Sequence, residues 1–383
     1  MGVGYSELSR DSDCSVGAHA LQACRNAILD AGLSKEEIDG VGAIYSTDLP
    51  TVWPGYVVDG LGLPSVNWTT CAFPPSINVV IEGVQAVFSG TCRYALCYHA
   101  KYRWDTTSSA ARSDPMRKAP WRGSVDGSLS SQMIAPFGGG HPFAAAMQRY
   151  MHLYGTRREH FGMIAVNNRT NATRNPRAVF RQPISIDDYL TSRTIVEPFC
   201  LYDMDTPIDG GMAVVLTSAE RAADHPHRPV LVEAIANGAA SQSDMMLHPD
   251  GLAEPFEQLV STLWERSELR AEDMDVVNLY DGFSILTMGW IDAVFAGRGN
   301  AGAFLQDSWR EQEGDVRFLG RIPMSPHGDN LSEGCLQGFG HGNEAVLQLR
   351  GKAGPTQIEG ARRALVTNGL NPVCGGMVLR SPD

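Results

Sequence analysis

The chain has 383 residues, of which 43% are hydrophobic, with 40 glycines, 22 prolines and a formal net charge of −12. That length exceeds one ordinary core, so two domains or two fused halves are expected, and the acidic balance gives a long-range field of the wrong sign for nucleic acid or an anionic membrane. No apolar run approaches the roughly 18–20 residues of a bilayer span and no basic-then-apolar leader opens the chain, which leads to the expectation of a cytoplasmic enzyme without a membrane span.

In chain order, Gly2 to Ser6 reads as the end of a first strand. Ser15 to Gly32 carries Val16, Ala20, Leu21, Cys24, Ile28 and Leu29 at the spacing of an amphipathic helix closed by Gly32. Ser34 and Glu37 have the spacing of a capping box, and Val41 to Tyr45 follows as a strand. Ser76 to Ser89 predicts a buried helix, and Tyr94 to Tyr98 a short central strand. From 101 to 142 periodicity gives way to basic, Ser-rich and Gly-rich sequence, the pattern of a lid, a binding loop or an interface excursion. Helices are predicted over Phe143 to Tyr154 and Arg158 to Asn171, a further element from Ile184 to Tyr189, and a strand over Met212 to Leu216. The prolines of His225-Pro226-His227-Arg228-Pro229 mark the best linker, dividing the chain into halves 1–225 and 226–383.

The second half repeats the alternation, with a strand over Val230 to Ile235 and a helix over Pro255 to Arg266. The run Val276 to Ile285 then ends an apolar strand abruptly in Tyr280-Asp281-Gly282 and leads into a helix over Ser284 to Ala296. A strand of that kind leaves its last polar side chains at the mouth of an α/β core, where such folds place their chemistry. A Gly-rich tract over Pro326 to Gly342, a helix over Asn343 to Leu349 and strands near Ala364 to Asn368 and Met377 to Leu379 complete the chain. The eight cysteines are scattered without a Cys-x-x-Cys pair, which argues against a disulfide scaffold and against a zinc site; no metal ligands are assigned.

Five stretches carry a resemblance over nearly the whole chain. They are Gly2-Val3-Gly4-Tyr5-Ser6, Arg149 to Gly155, Thr206-Pro207-Ile208-Asp209-Gly210-Gly211 with the strand after it, Tyr280-Asp281-Gly282-Phe283, and Gln348-Leu349-Arg350-Gly351. In this order they resemble the thiolase superfamily, in the branch related to sterol carrier protein thiolase, and more narrowly the lipid-transfer-protein-like aldolases that shorten steroid side chains as CoA thioesters. The resemblance implies an α/β thiolase-like fold of two similar halves in five αβαβα layers, and a homodimer. It also implies a small partner with an OB fold and a zinc ribbon, giving a heterotetramer, with zinc in that partner, no cofactor in this chain and a CoA thioester as substrate.

Thiolases place a nucleophilic cysteine at the start of the first long buried helix, where helix-terminal N–H groups favour the thiolate. Cys71 is the nearest cysteine, but the family's spacing back from Gly90 falls on Phe73. The histidine of the family's Gly-His-Pro step aligns with Cys335, where the related aldolases resemble a tyrosine variant. Gly140-His141-Pro142 spells that step in the wrong half and is read as a loop feature. Tyrosine at position 280, where thiolases carry an Asn or His that supports the oxyanion, resembles the aldolases. It favours non-covalent carbon–carbon cleavage over thiolysis.

A retro-aldol needs a base for the hydroxyl proton, donors for the thioester enolate and an acid for the carbon. Tyr280 suits the base if nearby donors lower its pKa from about 10. Backbone N–H groups of Cys374-Gly375-Gly376 are the candidate enolate donors, Cys335 and His341 the candidate acids, and Asp281 an orienting group. Among the basic residues of Asn167 to Gln182, Arg174, Arg177 and Arg181 are candidates for the CoA phosphates. Two other readings stay open: a thiolase or acyltransferase using Cys71 with Cys374 as second thiol, and a non-catalytic lipid-CoA-binding scaffold subunit.

Overall fold

Short apolar runs separated by amphipathic stretches sort into two mixed sheets. The computed structural model describes residues 2–45, 52–102, 141–239, 253–370 and 373–382. Most of the excursion read over 101–142 therefore lies outside the described residues, and a helix His141–Tyr154 begins where it ends.

The first half supplies β1 (Gly2–Tyr5), β2 (Gly40–Ile44), β3 (Trp68–Ala72), β4 (Ala95–Lys101), a small ribbon of β5 (Thr194–Val196) and β6 (Phe199–Cys200), and β7 (Gly210–Leu216). Its sheet has the order β1-β7-β4-β2-β3, with β7 antiparallel to β1 and β4, and β2 parallel to β4 and β3. The second half supplies β8 (Leu231–Ala239), β9 (Val276–Asn278), a three-stranded group of β10 (Trp309–Arg310), β11 (Asp315–Phe318) and β12 (Ile322–Pro323), then β13 (Arg363–Leu370) and β14 (Val373–Arg380). Its sheet runs β8-β14-β13-β9, with β14 antiparallel to both neighbours and β13 parallel to β9. An isolated parallel bridge from Val277 to Met324 takes the place that β3 holds in the first sheet. The two sheets thus repeat one strand order and one set of directions.

The helices Ile77–Phe88 and Phe339–Arg350 lie between the sheets. The first packs on β2, β3 and β4 and also on β8 and β14, and the second on β9 and β13 and also on β1 and β7. Helix Val16–Asp30 covers the outer face of the first sheet and helix Ala253–Arg266 that of the second, completing five α/β layers. Gly4 shows how closely the layers meet: a Cβ there would stand 2.1 Å from the carbonyl oxygen of Ala23. Ser15 caps the outer helix by accepting from the Ala18 N–H, and Glu37 accepts from the Ser34 N–H at 2.9 Å in the expected capping box. None of the described helices is long and apolar enough to cross a membrane.

Two placements differ from expectation. Cys71 lies in β3, a strand that Trp68-Thr69-Thr70-Cys71-Ala72 does not advertise by apolar alternation. Gly375 and Gly376 lie mid-strand in β14 between β8 and β13, so their N–H groups serve the ladders and not a ligand. An added Cβ would strike Ile77 from Gly375 and Leu259 from Gly376; the glycines serve packing between layers.

Candidate active site

Tyr280 stands just past the end of β9, buried, with its N–H donating to Thr367 Oγ1 at 3.2 Å and its carbonyl accepting from the Thr287 hydroxyl at 3.2 Å. Its ring faces that of His341 with centroids 6.0 Å apart. Gly282 and Gly338 make room for it: a Cβ on Gly282 would be 2.6 Å from the phenol oxygen, and one on Gly338 2.8 Å from the ring. Burial pushes the phenol well above its ordinary pKa, and the neighbouring Cys335, Asp205 and Asp281 push the same way. The expectation that nearby donors lower it is therefore overturned, and the group is a neutral phenol at working pH.

Asp281 is fully buried and accepts from four donors: Asn168 Nδ2 at 2.8 Å, Asn330 Nδ2 at 2.7 Å, and the backbone N–H groups of Asn330 and Leu331, each at 3.0 Å. These donors fill the lone-pair sites of one carboxylate. Burial and Asp329 push Asp281 above the usual carboxylate range while His341 pulls it back. The expected orienting role fits this geometry, because Asp281 ties β9 to helix Arg158–Ala172 and to the short helix Asp329–Ser332.

His341 occupies the first turn of helix Phe339–Arg350, with Nδ1 3.4 Å from the carbonyl oxygen of Thr367 and Nε2 3.5 Å from Asp281 Oδ1 and 3.6 Å from Asp329 Oδ1. Burial lowers its pKa, but Asp329 and Asp281 outweigh burial and hold it above the ordinary imidazole value. His327, which the sequence reading passes over, faces Asp329 Oδ1 at 2.9 Å and Glu333 Oε2 at 3.6 Å. Against burial, those carboxylates raise it to about 10.

Cys335 is buried beside Lys101, whose ammonium donates to its sulfur at 3.3 Å. Burial and Asp205 push the thiol up to about 12, with Lys101 opposing. Burial lowers Lys101, but Cys335 and Asp205 more than offset it and hold the lysine above its ordinary value. The pair is therefore a thiol and an ammonium. Lys101 was also missed, although a lysine ending the apolar strand Ala95-Leu96-Cys97-Tyr98-His99-Ala100 is a readable sign of a buried charge.

Several expected residues are not brought here. In β3 the side chains of Thr70 and Ala72 face the inner helix, Thr70 donating to Glu82, so alternation turns Cys71 to the opposite face, where it packs against the outer-helix core. Burial and Glu82 raise the Cys71 thiol. The start of helix Ile77–Phe88 is held instead by Ser76, whose hydroxyl donates to the carbonyl of Gln337 at 2.6 Å and accepts from Asn368 Nδ2 at 2.9 Å. Cys374 donates to the carbonyl of Pro255 at 3.3 Å, toward the outer layer. Arg177 turns inward, 3.1 Å from Glu333 and 3.2 Å from Glu344 with its guanidinium over the Tyr5 ring, which removes it as a phosphate ligand. Arg174 and Arg181 remain exposed.

Residues 238–377 match the family model described as thiolase C-terminal domain-like. The 17-hydroxy-3-oxo-4-pregnene-20-carboxyl-CoA lyase of Mycobacterium tuberculosis is 31% identical, across 99% of this chain and 98% of the relative. The steroid side-chain-cleaving aldolase of Thermomonospora curvata is 30% identical, across 99% and 96%. Among solved structures, the Ltp2-ChsH2(DUF35) aldolase superposes with a TM-score of 0.85 at 30% identity, covering 99% of this chain and 96% of that one. Human mitochondrial 3-ketoacyl-CoA thiolase shares the fold, with a TM-score of 0.66 at 14% identity, covering 100% and 99%. At such identity over nearly its whole length, the chain belongs to the thiolase superfamily, in the branch that the steroid side-chain-cleaving aldolases occupy.

Proposed function

We propose that the chain is an aldol lyase that cleaves the carbon–carbon bond of a β-hydroxyacyl-CoA bearing a steroid or other branched side chain, without a covalent acyl-enzyme. The observation that carries this reading is the start of the inner helix. A serine tied to Gln337 and Asn368, and not a thiol, stands at the start of that helix, while a buried neutral phenol stands just past the end of β9. The full-length relatives named for this chemistry support it.

A retro-aldol moves one proton overall, from the β-hydroxyl to the α-carbon, as the bond between the carbinol and α-carbons breaks. A neutral Tyr280 suits that exchange. Its hydroxyl proton goes to the α-carbon of the departing thioester enolate, and its oxygen takes the proton of the substrate hydroxyl, giving a ketone and a shortened acyl-CoA. The phenol is neutral before and after. With the glycines of β14 removed from the role, the Lys101 ammonium is the cation suited to the enolate charge. His341 and Asp281 act as positioning residues behind Tyr280, and Cys335 as the partner that holds Lys101. Arg174 and Arg181 are the remaining candidates for the CoA phosphates.

The reading includes a homodimer that pairs with a small OB-fold, zinc-ribbon subunit to give a cytoplasmic heterotetramer. The zinc lies in that partner, and the thioester is the only CoA species needed. The structural relative whose name includes a DUF35 component supports a complex of this kind. Co-purification with the product of the neighbouring gene, followed by mass spectrometry after incubation with hydroxyacyl-CoA candidates, tests it. A ketone and a shortened acyl-CoA are expected. An acyl adduct on Cys71, or activity lost in Cys71→Ala and kept in Tyr280→Phe, establishes the thiolase reading instead. No cleavage with the partner present leaves the scaffold reading.

A further inference from the structure

The short helix Asp329–Ser332 and the first turn of helix Phe339–Arg350 bring His327, Asp329 and His341 together, with one ligand atom of each within 4.8 Å of the others. His327 Nε2 and His341 Nε2 lie 2.9 and 3.6 Å from the same oxygen, Asp329 Oδ1. We propose that these three side chains form a binding site for a divalent first-row transition ion, with two imidazole nitrogens and one carboxylate as ligands.

Two observations point to a ligand here. First, both ring nitrogens of His327 and both carboxylate oxygens of Asp329 are fully buried and make no hydrogen bond, His327 Nε2 and Asp329 Oδ1 meeting at 2.9 Å as an ion pair alone. Buried polar atoms left in that state are costly, and four of them in one pocket call for a common partner. Second, the ring of His341 is already oriented as a metal ligand. Its Nδ1 faces the carbonyl of Thr367 at 3.4 Å, which favours the Nδ1–H tautomer and leaves the Nε2 lone pair, 3.3 Å from Asn330 Nδ2, on the side of Asp329.

Charge accommodates a cation as well. Asp281, Asp329, Glu333 and Glu344 are buried in one contiguous network, in which Arg177 is the permanent cation, paired with the two glutamates. A doubly charged ion on neutral imidazoles offsets two of the carboxylates, releasing the ring protons that otherwise do so. Nitrogen and oxygen donors without thiolate suit zinc, iron(II), manganese(II) or cobalt(II) better than copper(I). Glu333 Oε2, 3.6 Å from His327 Nε2, is positioned to complete the shell. The site is closed to solvent, so the ion's work is to lock the start of helix Phe339–Arg350, and with it the His341 ring against Tyr280. This inference does not depend on the reaction proposed above.

The test uses the full chain, expressed in medium supplemented with zinc or cobalt and dialysed against buffer without chelator. About one equivalent of metal per chain by elemental analysis is expected, with visible cobalt absorption for the cobalt form. His327→Gln and Asp329→Asn, conservative in volume, should each lose the metal while keeping the native circular dichroism. In the wild type, a strong chelator should lower the melting temperature, and zinc should restore it. If both variants fail to fold, this chelator arm decides. A folded wild type without stoichiometric metal overturns the proposal, as do variants that retain it or a melting temperature indifferent to chelator and zinc.

Discussion

A neutral phenol serves a retro-aldol only if the substrate returns the proton it gives, and this sets the expectations for single residues. Tyr280→Phe should lower kcat by about 100- to 10,000-fold with KM little changed, and Lys101→Met by about 100- to 1,000-fold; steady-state kinetics on the purified complex reads both. Arg177 behaves differently, because its removal strands two buried carboxylates. Arg177→Met should cost about 3–5 kcal/mol in denaturant unfolding and leave the KM of refolded material for the thioester near that of the wild type. The thiols give a pH expectation with a definite sign. Burial raises Cys374 to about 12, and burial with Asp205 raises Cys335 to about 12. At pH 8 about one molecule in 10,000 then carries the thiolate at either position, and the fraction grows tenfold with each pH unit. Iodoacetamide with peptide mass spectrometry should mark the exposed Cys14 first and these two last.

At the scale of elements, the site depends on how helix Phe339–Arg350 begins. Gly338, its cap, has φ +80, and an added Cβ would lie 2.5 Å from Asn368 Nδ2 and 2.8 Å from the Tyr280 ring. Gly338→Ala should therefore strain the backbone by about 1–3 kcal/mol and displace both the tyrosine and the asparagine that anchors Ser76. A lowered melting temperature together with a reduced kcat is expected, whereas a change in melting temperature alone would separate the cap from the chemistry. The same helix was foreseen from Asn343 onward, but it starts a full turn earlier. Phe339-Gly340-His341-Gly342 reads as loop because glycine disfavours helix, and burial between the two sheets overrides that preference.

For the whole molecule, one strand order used twice leaves the inner helices shared between two sheets, so each half completes the core of the other. The proposed assembly extends this dependence to partners. Sedimentation of the chain alone should give a dimer, and with the OB-fold partner a heterotetramer. A monomer in both conditions would remove the assembly from the proposal while leaving the chemistry of Tyr280 to its own test.

Local pattern alone determined the α/β alternation, the spans of helices Val16–Asp30, Ile77–Phe88 and Arg158–Ala172 to within a residue or two, and the position of Tyr280 just beyond a buried strand, because these follow from periodicity and caps along adjacent residues. The resemblance carried by the quoted motifs placed the chain among the thiolase-like aldolases. Only the tertiary structure decided which way those residues face. Cys71 turns outward because β3 alternates, Arg177 turns inward because two glutamates far along the chain wait there, and Gly375 and Gly376 disappear into ladders set by their neighbours. Lys101 meets Cys335 across 234 residues, and His327 and Asp329 meet His341 only when a short helix and a long one begin side by side. Burial and charge at such points are sums over contacts distant in sequence, and no window along the chain contains them.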